Sequence, residues 1–204
     1  MKALRFVCTL AAILAATTGM AGAQDMVISG VIDGPLSGGV PKAVEFYVVN
    51  NIADLSDYGF GSANNGGGSD GEEFTFPAVA ASAGDFLYVA TDATSFTSFF
   101  GFAPDFTDGP APSINGDDAI ELFQNGSVID TFGEITHSGA GAWNYLDGWA
   151  YRNMGTGPDG ATFVIGNWTF SGPNALDGES SNDTASTPWP IGSYPVELQS
   201  FVIE

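Results

Sequence analysis

The chain has 204 residues, 44% of them hydrophobic, with 16 Phe and 4 Trp, and it sets 24 acidic side chains against 4 basic ones. This apolar supply builds a core without cross-links, and a single cysteine, Cys8, excludes a disulfide-stapled scaffold. The formal net charge of −20 repels phosphate backbones, which argues against direct nucleic-acid binding and favours divalent cations, cationic partners or a saline setting.

Taken in chain order, the first segment reads as an export signal, residues 1–23. Lys2 and Arg5 supply the positive start, Phe6 to Ala16 the apolar stretch, and Ala21-Gly22-Ala23 the small-x-small cleavage pattern. The apolar run is shorter than the roughly 20 residues a membrane-spanning helix needs. The expected mature chain starts at Gln24 and keeps Lys42 and Arg152 as its cations. With 24 acids against these 2 bases its net charge is −22. Secretion from a bacterium is the expected localisation, and both cations are expected to serve as structural ion-pair partners.

Short runs of β-branched and aromatic residues then recur between Gly, Asn, Asp and Ser clusters, the rhythm of an all-β sandwich. Strands are predicted at Met26–Asp33, Ala43–Val49, Glu73–Phe76, Asp85–Thr91, Ala119–Gln124, Ser127–Phe132, Gly148–Arg152 and Thr162–Phe170. One short helix is predicted over Ala93–Phe100, where Phe96, Phe99 and Phe100 share a face. Asn125-Gly126 joins two of the strands as a type I′ hairpin, and Asn64 to Ser69 is an expected loop. Residues 172–193, rich in Ser, Asn, Asp, Thr and Gly, read as a surface loop or linker. Residues 194–204 read as a C-terminal strand or tail, which either completes its own sheet or is offered to another chain.

Several of these segments, in order, resemble the lamin-tail domain of secreted bacterial proteins. They are Lys42-Ala43-Val44-Glu45-Phe46-Tyr47, Ala53-Asp54-Leu55-Ser56-Asp57-Tyr58, Ala83-Gly84-Asp85-Phe86-Leu87-Tyr88-Val89-Ala90, Asn115-Gly116-Asp117-Asp118-Ala119-Ile120-Glu121-Leu122 and Gly126-Ser127-Val128-Ile129-Asp130-Thr131-Phe132-Gly133. Trp149 and Tyr151 follow in the position of an aromatic strand. The resemblance implies an immunoglobulin-like β-sandwich over residues 24–171. It also implies a targeting or adhesion role, since such domains accompany extracellular nucleases and surface-anchoring sequences.

The sharpest polar cluster is Asn115, Asp117 and Asp118, with Asp130 on the following hairpin. It admits two readings: an Asx turn that caps backbone N–H groups, or a calcium site drawing six to eight oxygens from the loop. Calcium is the one cofactor the sequence suggests. Trp149 and Tyr151 alternate on a strand and are expected in the core, whereas Trp143 and Tyr145, in a Gly-rich approach, are the candidate exposed pair for stacking on a ligand. His137 is the single histidine, which leaves little for acid–base catalysis. The expected function is therefore a non-catalytic binding or adhesion module for a cell-surface or matrix component, protein or glycan. The alternatives are a hydrolase or accessory subunit of an extracellular nuclease, and a structural subunit assembling through residues 194–204.

Overall fold

A computed structural model describes residues 24–139 and 141–194. The expected export signal and most of the terminal strand, residues 195–204, lie outside the described residues. Ten strands and one helix follow in order: β1 (Met26–Leu36), β2 (Val40–Val48), β3 (Tyr58–Ala63), β4 (Phe74–Thr75), β5 (Phe86–Ala90), α1 (Ala93–Phe100), β6 (Phe106–Thr107), β7 (Ala119–Gln124), β8 (Ser127–Phe132), β9 (Gly148–Arg152) and β10 (Trp168–Phe170). They form two sheets, ordered β10-β9-β1-β2-β5-β6 and β4-β3-β7-β8, the all-β sandwich that the strand rhythm predicts.

The turns follow from the residues that occupy them. Asn125 and Gly126 take positive φ of 49° and 73°, as a type I′ connection between β7 and β8 demands. Helix α1 starts where the Asp92 carboxylate accepts the Ser95 N–H at 2.7 Å, and it ends at Gly101 in the left-handed region. Its buried face is Phe96, Phe99 and Phe100.

Phe46, Phe60, Phe76 and Phe132 fill the space between the sheets. A second core covers the outer face of the six-stranded sheet, where Val27, Ile32 and Tyr88 meet the α1 phenylalanines, Leu176, Trp189 and Tyr194. Strand β1 is thus buried on both faces, which explains why Met26 to Ile32 reads as a nearly unbroken apolar run rather than an alternating one. Trp149 and Tyr151 are buried as expected, in this outer core, while Ala150 between them faces the inter-sheet core.

Three expectations change. Strand β3 forms where the sequence predicts none, because Gly59 and Gly61 interrupt its apolar pattern. Those glycines let the neighbouring chain approach, since a Cβ on Gly61 would sit 2.1 Å from the Gly71 carbonyl oxygen. The strand expected over Thr162–Phe170 shrinks to β10, because a 3-10 turn at Ile165–Asn167 occupies its middle. Residues 172–193 hold no strand or α-helix, yet they carry Leu176 and Trp189 into the second core. Among the described residues no helix is long and apolar enough to cross a membrane.

Candidate functional site

Both cations of the described chain are consumed inside it, as the sequence predicts. Lys42 Nζ pairs with Asp33 and also donates to the Ile114 carbonyl and to Asn115 Oδ1. Arg152 is buried, and its Nη2 donates to both oxygens of Asp130 at 2.8 and 2.7 Å while Nη1 faces Asp159 Oδ2 at 3.3 Å. Its guanidinium lies 4.4 Å from the centre of the Trp168 ring. The pair also bridges the sheets. Strand β9 matches β1 only from Gly30 to Asp33, so Ile28 lacks a β9 partner. Arg152 Nε donates to the Ile28 carbonyl at 2.6 Å, and Asp130 Oδ2 accepts the Ile28 N–H at 2.9 Å. One ion pair thereby supplies both halves of a missing ladder rung.

That arrangement corrects the calcium site as drawn from sequence, for Asp130 stands apart on Arg152 while Asn115 and Asp118 lie against each other. Asp130 faces Arg152, and Asn115 Oδ1 already meets the Lys42 ammonium. Asp118 spends its oxygens on the Asn65 and Asn115 N–H groups at 2.7 and 2.6 Å, which is the Asx-turn reading. Burial pushes its carboxyl above the usual range, against the pull of those two N–H groups. Asp117 accepts the Gly139 N–H at 2.5 Å. Among the described residues no three His, Cys, Asp or Glu side chains are gathered in a way that could hold a metal ion. Other carboxylates act as local caps: Glu73 on the Ser62 N–H, Asp105 on Tyr88 and Asp108 on Ala111.

The exposed aromatic pair is corrected too. Trp143 is 2% exposed and Tyr145 fully buried, with the Tyr145 hydroxyl donating to the Asp118 carbonyl at 2.7 Å. Both rings pack on Phe132, with centroids 5.9 and 5.4 Å away. A Gly-rich approach suggests exposure, but the large aromatic residues it carries gain more from the core. His137 is half-buried beside Trp143, its ring centre 6.0 Å from the indole. Gly67-Gly68-Ser69-Asp70-Gly71 has the spacing of a hydrolase nucleophile elbow, but it lies in a loop leading into β4 and not on a strand-to-helix turn.

A concave feature among the described residues lies beside β8, an outer strand of its sheet. Residues 159–163 run alongside this strand, held by the Thr131 hydroxyl on the Gly160 carbonyl and by the Asp159 N–H on Asp130, each at 2.8 Å. Between them opens a cleft of about 320 Å³ whose walls include Thr131, Glu134, Ile135, Thr136, Thr162 and Phe163. Sequence reasoning missed it, because two loops distant in the chain build it and neither carries a motif. Comparison with family models, with curated proteins and with solved structures finds no match.

Proposed function

We propose that this chain is a secreted, non-catalytic binding and adhesion module of the cell surface or extracellular matrix, which takes its partner in the cleft beside β8. The cleft carries the proposal. Its volume is at the low end of the roughly 300–1,000 Å³ that specific ligands occupy. Thr136 and Thr162 offer hydroxyls, Glu134 offers a carboxylate, and Ile135 and Phe163 offer apolar surface. That mixture suits one unit of a glycan or one side chain of an extended protein segment. The likeness to lamin-tail domains points to the same role and to the immunoglobulin-like form of the sandwich. Calcium assists through the exposed carboxylates, whose repulsion it screens in a chain with no free cation among the described residues.

Thr162 is exposed on the cleft wall, so Thr162→Arg fills the opening without touching the core. Retention of the purified chain on envelope preparations from the producing cells is expected to fall about tenfold or more. Its melting temperature is expected to stay within about 2 °C of the parent, as for other surface changes. Calcium is expected to raise that temperature and retention together, and a chelator to lower both. Equal retention by parent and variant sinks the cleft; indifference to calcium and chelator removes the ion.

A further inference from the structure

The second core is closed by the last described residues, 188–194, which lie across the outer face of the six-stranded sheet as a strap. Trp189 is its anchor, 1% exposed, with its ring 5.6 Å from Phe100 and 6.4 Å from Tyr151. Gly30 makes room for that indole, because a Cβ there would lie 2.7 Å from Trp189 Cζ2. Asn182 locks the anchor from the side, its amide exchanging two hydrogen bonds with the Trp189 backbone at 3.0 and 2.8 Å.

The other end is held by a buried carboxylate. Glu45 is fully buried, and neither Lys42 nor Arg152 pairs with it. Its Oε1 receives Ser29 Oγ at 2.6 Å and the Tyr151 hydroxyl at 2.7 Å, and its Oε2 receives the Gly192 N–H at 2.8 Å. The Tyr151 oxygen in turn accepts the N–H groups of Ser193 and Tyr194 at 2.9 and 3.0 Å. Three consecutive backbone N–H groups of the strap therefore hang on one carboxyl–phenol unit, an arrangement that Gly192 permits with φ of 63°.

We propose that Glu45 is a proton-operated latch for this strap: protonated, it stays buried and holds residues 188–194 closed; ionised, it draws water and lets them lift from the sheet. The site accommodates the protonated form, since Ser29 Oγ can receive the carboxyl proton while donating its own to the Glu45 carbonyl 3.2 Å away. Ionised, the group has donors but no countercharge, and burying such a charge is unfavourable. The groups facing it are Ser29 of β1, Tyr88 of β5, Tyr151 of β9 and Gly192 of the strap, with Asp105 accepting the Tyr88 N–H; α1 contributes no titratable side chain. Desolvation raises the Glu45 carboxyl above its ordinary value when the strap is shut. Closure is thus complete below the ordinary glutamate value and is lost as pH rises through the raised one. Opening exposes an aromatic floor of Tyr88, Tyr151 and Phe100 on a face separate from the cleft.

Hydrogen exchange of the full chain between pH 4.5 and 9, corrected for intrinsic rates, tests this on the amides of Gly192, Ser193 and Tyr194. Their protection relative to amides of the β7–β8 ladder is expected to fall by up to about tenfold per pH unit once Glu45 ionises. Glu45→Gln, which cannot ionise, is expected to flatten the profile. Tyr151→Phe is expected to lower protection of Ser193 and Tyr194 at every pH while keeping the slope. A flat parental profile, or a slope that persists in Glu45→Gln, overturns the latch. Should Glu45→Gln fail to fold, the parental ratio of strap to ladder protection decides alone.

Discussion

Arg152→Ala is expected to destabilise the chain by about 3–5 kcal/mol, the loss that follows when one partner of a buried ion pair is removed. For a domain of this size that is a fall in melting temperature of roughly 6–20 °C. The size follows from what remains behind. Asp130 keeps a buried negative charge with only backbone N–H groups around it, from Ile28, Thr131 and Asp159. The Ile28 carbonyl loses Arg152 Nε, and Trp168 loses the cation over its ring. A melting temperature within about 2 °C of the parent would mean that the pair is not holding the sheets together.

Replacing both partners separates this pair from an ordinary buried salt bridge. In many proteins an apolar pair of similar volume is neutral or better, because the desolvation penalty disappears with the charges. Here Arg152 and Asp130 also complete the backbone of Ile28, so Asp130→Leu with Arg152→Met orphans the Ile28 N–H and carbonyl and two further N–H groups. At about 1–3 kcal/mol for each buried group left without a partner, the double variant is expected to remain well below the parent. Full recovery of the melting temperature would show that the charge pairing, and not the missing rung, is what the sandwich needs.

Those ion pairs were legible as soon as the chain's cations were counted, since two positive side chains among so many carboxylates are readily paired. Their addresses were not legible: nothing in Gly148–Arg152 says that its last residue reaches across to β8. The same division holds elsewhere. The Asn125-Gly126 hairpin and the helix over Ala93–Phe100 are set by local chemistry, and both fall where the sequence places them. Strand β3 is set by tertiary context. Its glycines look like breaks until Gly71 and Glu72 are seen lying against them. Polar sequence between 172 and 187 hid the strap, because a stretch rich in Ser, Asn and Asp can be tied down by one leucine, one asparagine and the tryptophan that follows. The cleft beside β8 is a matter of two loops meeting, and no single segment announces that.

Trp143→Ala is expected to cost about 3–5 kcal/mol, as for a large aromatic side chain removed from a packed interior. The indole touches more than Phe132. Its ring centre is 6.0 Å from Phe163, and its Cζ3 lies 2.9 Å from where a Cβ on Gly133 would be. Phe163 and Gly133 both line the cleft, so the cavity left by the indole opens directly behind its wall. Two measurements separate a core role from a ligand-stacking one. If Trp143 is core, the melting temperature falls by roughly 6–20 °C, and envelope retention weakens in step with the loosened cleft. If it stacks on a ligand, retention is lost at an unchanged melting temperature. The same pair of readings on Phe163→Ala is expected to give the reverse balance, a larger loss of retention for a smaller loss of stability, because Phe163 is only partly buried and faces the opening.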